Sequence, residues 1–271
     1  MRRSTRLASI LSRSRPAGSA MLTAERKQRL LEVLRSEGKI LASEMSRRFG
    51  VSEDTVRRDL RELDRAGFLQ RVHGGALPRT PTSIEHKARQ KESTDAKRRI
   101  GAAAARLLQP GQVVTLDAGT TPLAVLEAVG PDLALTVATH SLPAAAVLAE
   151  HPSLEGIVIG GRLFKSARAA VGVATVDAYR LLRPDVCILG SAGLHPEAGV
   201  TGFDAEEAEV KRALLAHAAN VVLVVASEKL GTVAPHLITP AGRLTHLVTD
   251  SDAPDDVLAA YRELGMEVVA A

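Results

Sequence analysis

Leu41-Ala-Ser-Glu-Met-Ser-Arg-Arg-Phe-Gly-Val-Ser-Glu-Asp-Thr-Val-Arg-Arg-Asp-Leu60 holds two short helical patterns on either side of one glycine. Ser43 is a good N-cap for the first, which runs through Glu44, Met45 and Phe49 and stops at Gly50. Ser52 caps the second, in which Val56, Leu60 and Leu63 recur at four- and three-residue spacing. Two helices joined by a Gly-containing turn form the helix-turn-helix pattern. The apolar residues must face inward, so Arg58 and Arg61 project the opposite way, with Thr55 and Arg57 on the flanks. Arginine pairs bidentately with guanine in a major groove, and Ser or Thr near a helix N-terminus contacts bases or phosphates. Ser43, Ser52, Thr55, Arg57, Arg58 and Arg61 are therefore candidate contacts to double-stranded DNA.

The flanks extend this pattern to residues 21–78. Upstream, Leu30, Leu31, Val33 and Leu34 form an apolar stripe, Glu25 precedes Arg29 by four residues, and Gly38 ends the helix. Downstream, Phe68-Leu-Gln-Arg-Val-His-Gly-Gly-Ala-Leu77 reads as short alternating strands with a Gly pair that permits a tight bend or close approach to a DNA backbone. This is the expected wing of a small winged helix-turn-helix, with Arg71 and His73 as phosphate contacts.

The charge distribution agrees. Residues 1–80 carry 18 Lys and Arg against 9 Asp and Glu, whereas residues 81–271 carry 17 against 22, so a basic module precedes an acidic one. A polyanion partner is expected for the first and not for the second. The length of 271 residues suits one small and one medium domain, and an aromatic content of 2% without Trp leaves Ala, Val, Leu and Ile to build the cores. Cys187 is the single cysteine and lies in an apolar run, which excludes an intramolecular disulfide and points to the cytoplasm. Neither a metal nor a cofactor is expected, since no His/Cys pair has zinc-ligand spacing. No stretch approaches the roughly 18 apolar residues of a membrane span. Residues 1–20, with five Arg and no acid, formally resemble a transit peptide. Because Met21 directly precedes the first helical pattern, they read instead as a disordered basic arm or an upstream start.

Residues 79–96 read as a linker, and from Lys97 the pattern changes. Short apolar runs at Val113-Val-Thr-Leu, Leu135-Thr-Val-Ala-Thr, Ile157-Val-Ile, Val186-Cys-Ile-Leu, Val221-Val-Leu-Val-Val and Leu247-Val-Thr alternate with Ala/Leu-rich helices. This predicts a doubly wound, mostly parallel α/β domain over residues 97–271. Ligands of such sheets bind beyond the carboxyl ends of the strands. There the chain places Asp117-Ala-Gly119-Thr120-Thr121-Pro122, Thr139-His140-Ser141 and Gly160-Gly161. Gly119 allows backbone amides to approach a ligand, Thr121 is a candidate helix cap, and the helix N-terminus favours an anion. Lys211 and Lys229 supply positive charge for a phosphate, and Glu207, one turn before Lys211, orients it or binds a hydroxyl. An ordinary strand-to-helix turn and a surface Glu–Lys pair are the plain alternatives, and no dinucleotide or Walker motif is present.

The run Thr55-Val-Arg-Arg-Asp-Leu-Arg-Glu-Leu, followed by Arg71-Val-His-Gly-Gly-Ala, resembles the N-terminal signature of the DeoR family of bacterial transcriptional regulators. The likeness continues through Asp117-x-Gly-Thr-Thr, Thr139-x-Ser, Gly160-Gly161, Glu207-x-x-x-Lys211 and Lys229-Leu-Gly. It implies a sensor domain similar in fold to ribose-5-phosphate isomerase, and a repressor of a carbohydrate or related operon that releases DNA when a sugar phosphate or related metabolite binds. The symmetry of helix-turn-helix readers adds the expectation of a homo-oligomer, dimer or tetramer. Three positions depart from the family pattern: His140 stands where Asn is usual, and Ala192 and Ala226 where Asp is usual. The effector either differs from a simple sugar phosphate or is held less specifically at its non-phosphate end.

A sugar-phosphate isomerase-like enzyme with an accessory DNA-binding domain is the alternative reading. Isomerisation needs a carboxylate base with further acids or a lysine, and Ser191-Ala-Gly-Leu-His195 stands where an acidic loop would be wanted. A basic adaptor without sequence preference is disfavoured by the ligand-like loops.

Overall fold

A computed structural model describes residues 21–81 and 86–271; the expected basic arm over residues 1–20 lies outside them. The N-terminal unit comprises α1 (Thr23–Glu37), β1 (Ile40–Leu41), α2 (Ala42–Phe49), α3 (Glu53–Arg65), β2 (Gln70–Val72) and β3 (Gly75–Leu77). Gly38 and Gly50 close α1 and α2 in the left-handed conformation, at φ +70° and +65°. Leu30, Ile40, Met45, Val56, Leu60, Leu63 and Leu69 form the core, each large side chain contributing about 1.5–3 kcal/mol by burial. A buried ion pair ties α1 to α3: Arg26 Nε and Nη2 donate to Asp59 Oδ2 and Oδ1 at 2.5 and 3.2 Å. The expected Glu25–Arg29 pair forms at 2.9 Å.

Two local expectations change. Ser43 is not the cap of α2; Leu41 occupies that position, and Ser43 sits exposed in the first turn. The Gly74-Gly75 pair serves the wing in two ways. Gly74, at φ +81°, makes the bend, whereas Gly75 lets β3 reach β1, because a Cβ there would lie 1.7 Å from the Ile40 carbonyl oxygen. The resulting antiparallel sheet has the order β1-β3-β2.

The second unit begins with α4 (His86–Arg89), α5 (Thr94–Ala105), β4 (Val113–Leu116), α6 (Thr120–Glu127), β5 (Leu135–Thr139), α7 (Leu142–Glu150) and β6 (Leu154–Val158). The antiparallel pair β7 (Arg162–Phe164) and β8 (Ala169–Val171) precedes α8 (Val173–Arg180) and β9 (Val186–Leu189). Then come β10 (Gly193–His195), β11 (Gly199–Gly202), α9 (Ala205–Leu215), β12 (Asn220–Val224), β13 (His236–Thr239), β14 (His246–Thr249), α10 (Asp255–Glu263) and β15 (Glu267–Ala270).

Among the described residues, seven strands form one parallel sheet in the order β15-β14-β12-β9-β4-β5-β6. Alternate residues serve opposite faces. Val186, Ile188, Val222 and Val224 pack with α5, α6 and α7, whereas Cys187, Leu189, Val221 and Leu223 pack with α8, α9 and α10. This is the doubly wound arrangement the sequence predicts. The chain lays down β4, β5 and β6 toward one edge, then returns through β9 toward the other, so the order reverses between β4 and β9. A crevice opens at the strand ends at such a switch point.

The reader is joined to the sensor at the same end. Val233 N donates to Pro78 O and Thr80 N to Val233 O, at 3.0 and 3.1 Å. Thr80 Oγ1 donates to Ala192 O at 2.7 Å, and Lys39 pairs with Glu197 at 2.9 Å.

Candidate functional site

The DNA-facing candidates lie on one exposed ridge and its neighbour. Arg57, Arg58, Arg61, Arg71 and His73 are exposed, and α3 and the wing flank a cleft whose empty space, with its open mouth, is about 510 Å³, lined by Arg57, Leu60, Arg71, Val72, His73 and Gly74 among others. Ser52 caps α3 as expected, accepting from Thr55 N at 3.2 Å and lying 2.9 Å from the Thr55 hydroxyl. Both hydroxyls thus have a local task. Arg57 pairs with Glu53 at 2.6 Å, while Arg58 and Arg61 make no ion pair among the described residues.

The second site occupies the β4/β9 crevice. Its walls are Gly119, Thr120, Thr121 and Pro122 after β4, Gly190, Ser191 and Ala192 after β9, Gly202 and Phe203, Glu207 and Lys211 on α9, Lys229, and Arg89. With its open mouth, the empty space is about 400 Å³. Gly119 is the residue before α6, so the free amides of the first helical turn face this space. Thr121 lies inside that turn and does not cap it; Gly119 holds the cap position without a side-chain bond. Gly190 keeps the crevice narrow, since a Cβ there would stand 3.0 Å from Pro122 and 3.1 Å from Asp117.

Asp117 forms the floor. Its Oδ2 accepts from Lys211 Nζ at 2.5 Å and from Gly190 N at 2.9 Å, and Lys211 also donates to Gly190 O at 3.1 Å and lies 3.5 Å from Glu207. Burial alone would raise the Asp117 pKa, but Lys211, the neighbouring His140 and these hydrogen bonds hold it below its ordinary value. Burial likewise opposes the charge on Lys211, and Asp117 and Glu207 outweigh it, raising its pKa. The plain alternative for Glu207 and Lys211, a surface helix pair, does not hold, because both residues are buried.

His140 lies beneath this floor, outside the pocket wall. Its Nδ1 is 2.8 Å from the Tyr179 hydroxyl, and Nε2 faces Asp117 Oδ1 at 4.0 Å. Burial, with Lys211 nearby, depresses the imidazole pKa to about 4 against the pull of Asp117, so the ring is neutral.

Cations gather at the rim. Lys229 is buried, and burial together with Lys97 and Arg89 lowers its pKa to about 8. Lys97, from α5, donates to the carbonyls of Arg89 and Glu92. Its pKa is lowered by burial, partly offset by Glu92 and Glu228. Arg89 Nε and Nη2 and Ser191 Oγ are buried without a hydrogen-bond partner.

Gly119, Thr120, Thr121, Glu207, Lys211 and Lys229 thus come together around Asp117, while four expected residues do not line the crevice: His140, beneath the floor, and three that stand farther away. Ser141 caps α7, its Oγ accepting from Ala144 N at 3.3 Å. Gly160 O accepts from Thr175 Oγ1 at 2.9 Å, and a Cβ on Gly161 would strike that hydroxyl at 2.1 Å. The pair therefore braces α8, because the chain leaves β6 for the β7/β8 hairpin and not for the crevice. Sequence reading missed Ser191, although the strand-end rule reaches it directly after β9. It also missed Lys97 and Arg89; the latter stands in a charged stretch with no periodicity to mark it. Among the described residues no three His, Cys, Asp or Glu side chains are placed to hold a metal ion, and no helix is long and apolar enough to cross a membrane.

Residues 26–82 match the family model of the DeoR-like helix-turn-helix domain, and residues 92–251 that of the DeoR C terminal sensor domain. The HTH-type transcriptional regulator GlpR of Haloferax volcanii is 34% identical over 92% of this chain and 98% of its own. The glycerol-3-phosphate regulon repressor of Escherichia coli (strain K12) is 30% identical over 88% and 95%. Ribose 5-phosphate isomerase A from Methanocaldococcus jannaschii overlaps at a TM-score of 0.38 and 14% identity, over 51% of this chain and 55% of that one, too loosely to bear on function. Both halves of the chain and its full-length relatives agree that it is not an isomerase but a DNA-binding transcriptional regulator of the DeoR family.

Proposed function

We propose that the protein represses a carbohydrate or related metabolic operon and releases its operator when a phosphorylated metabolite enters the β4/β9 crevice. The carrying observation is the chemistry of that crevice. Lys229, a buried lysine, shares a wall with the α6 amides and with Lys211, an arrangement suited to a phosphate. Glu207 and Ser191 remain for hydroxyls. Ala192 and Ala226 add no polar side chain, so the non-phosphate end is held by few groups. The Escherichia coli relative is named for a phosphorylated compound, which accords with this reading.

On the DNA side, α3 enters the major groove with Arg58 and Arg61 toward base edges, and Arg57, Arg71, His73 and the N-terminal hydroxyls of Ser43, Ser52 and Thr55 meet the flanking phosphates. A second copy completes the reader. Ile157 and Val158 on the edge strand β6, with Leu163 and Val173 on the segments that follow it, are exposed and apolar, as a subunit contact requires.

The test is thermal unfolding of the full chain with phosphorylated metabolites and with their dephosphorylated forms. At least one phosphorylated compound is expected to raise Tm where its counterpart does not, and Lys229→Gln is expected to abolish the rise. Equal stabilisation by both forms would refute the phosphate reading.

A further inference from the structure

We propose that Arg89, carried on the segment between reader and sensor, closes the anion site of the crevice with its bidentate edge and so transmits occupancy to the DNA reader. The inference rests on the reading of the crevice as a phosphate site and assigns to it a residue and a means of regulation.

Arg89 lines the crevice beside Lys229, and its Nε and Nη2 are buried with no hydrogen-bond partner among the described residues. Those two nitrogens form the side-on edge of a guanidinium, which matches two oxygens of a carboxylate or phosphate. The same molecule shows the edge in use: Arg26 turns Nε and Nη2 onto the two oxygens of Asp59. A buried edge of this kind without an acceptor is costly, and a phosphate held by Lys229 and the α6 amides would supply one.

Described residues on both sides of Arg89 are held by long-range contacts. Upstream, Thr80 holds the carbonyl of Ala192, which lines the crevice, and pairs with Val233, four residues beyond Lys229. Three residues before Arg89, His86 N donates to Ser166 O at 2.8 Å, and downstream Lys97 holds the carbonyls of Arg89 and Glu92. Residues 78–80 follow directly from β3 of the wing. An anion that draws the Arg89 side chain onto the crevice wall therefore acts on the same wall that Thr80 grips through Ala192, three residues beyond the end of the wing.

The experiment titrates the full-length chain and its R89Q, R89K and K229Q variants with inorganic phosphate by calorimetry. Affinity for the DNA upstream of the protein's own gene is then measured with and without saturating phosphate. R89Q is expected to weaken phosphate binding by about tenfold or more, and R89K to weaken it as well, since charge survives but the fork does not. The phosphate-dependent change in DNA affinity is expected in the wild type and lost in R89Q even at saturation. Wild-type phosphate affinity in R89Q, with binding lost in K229Q, would overturn the role of Arg89 and leave the crevice reading intact. A full change in DNA affinity in saturated R89Q would overturn its transmitting role. A wild-type chain that takes up no phosphate would refute the crevice reading, and this proposal with it.

Discussion

Lys211 reaches from α9 to within 2.5 Å of Asp117 at the end of β4, joining the two halves of the sheet where their order reverses. The pair is buried, and Gly190 on β9's exit supplies both a donor and an acceptor to it. Buried charges survive in a protein when each is paired and its remaining hydrogen bonds are met. Asp117 and Lys211 thus set the floor on which the crevice is built.

Lys211→Ala is expected to destabilise the chain by about 3–5 kcal/mol, because it leaves a buried carboxylate unpaired. Adding Asp117→Asn to it should recover part of the loss. Urea unfolding of the three proteins checks this, and a loss below about 1 kcal/mol for the single variant would mean that water reaches the carboxylate.

Stability should fall as pH drops from about 6.5 to about 4. In that window an unfolded chain protonates His140, while burial keeps the folded ring neutral with its pKa near 4. Burial beside Arg89, Arg168 and Lys97 depresses His86 to about 4 in the same way. The contribution is fully present above pH 6.5 and is lost on acidification. His140→Asn should reduce the slope of unfolding free energy by about 1.4 kcal/mol per pH unit, one proton's worth. An unchanged slope would show that His140 is protonated in the native state.

Anion affinity should weaken as pH rises through about 8, where Lys229 loses its charge. A bound anion favours the ammonium and moves the transition upward. Phosphate titrations between pH 7 and pH 9 test this, with Lys229→Met expected to flatten the profile. A flat wild-type profile would remove Lys229 from the site.

Arg58→Ala should weaken operator binding by about 1–3 kcal/mol and relax preference at one base pair. Its side chain is exposed and makes no ion pair among the described residues, so Tm should barely move. Gly75→Ala should lose DNA binding for a different reason, the collision of its methyl group with the Ile40 carbonyl, and its Tm should drop.

Much of the fold was legible because its signals are local. The stripe of Val56, Leu60 and Leu63, the cap at Ser52 and the stops at Gly38 and Gly50 each follow from neighbouring residues. The five apolar runs that became β4, β5, β9, β12 and β14 were equally plain. The third run was misplaced: β6 starts at Leu154 and ends at Val158, because at the sheet edge only Leu154 of that strand is buried. β15 and the antiparallel strands β7, β8, β10, β11 and β13 escaped notice, since three or four residues carry too little alternation. At the site, strand ends announced Asp117 and the Gly-Thr-Thr loop. Gly160 and Gly161 obeyed the same rule and were misled by the hairpin that follows them. Nothing local marks Arg89, whose place depends on contacts with Ala192, Val233 and Lys97, all distant in the chain.

The most direct measurement is the affinity of the full chain for the DNA upstream of its own gene, taken with phosphorylated carbohydrate metabolites and with the same compounds lacking phosphate. One phosphorylated compound is expected to weaken DNA binding by about 5- to 150-fold, the usual range of coupling between sites, with no effect from its dephosphorylated form. DNA affinity that stays constant throughout, or that falls equally with both forms, would contradict control of the reader by a phosphate in the crevice.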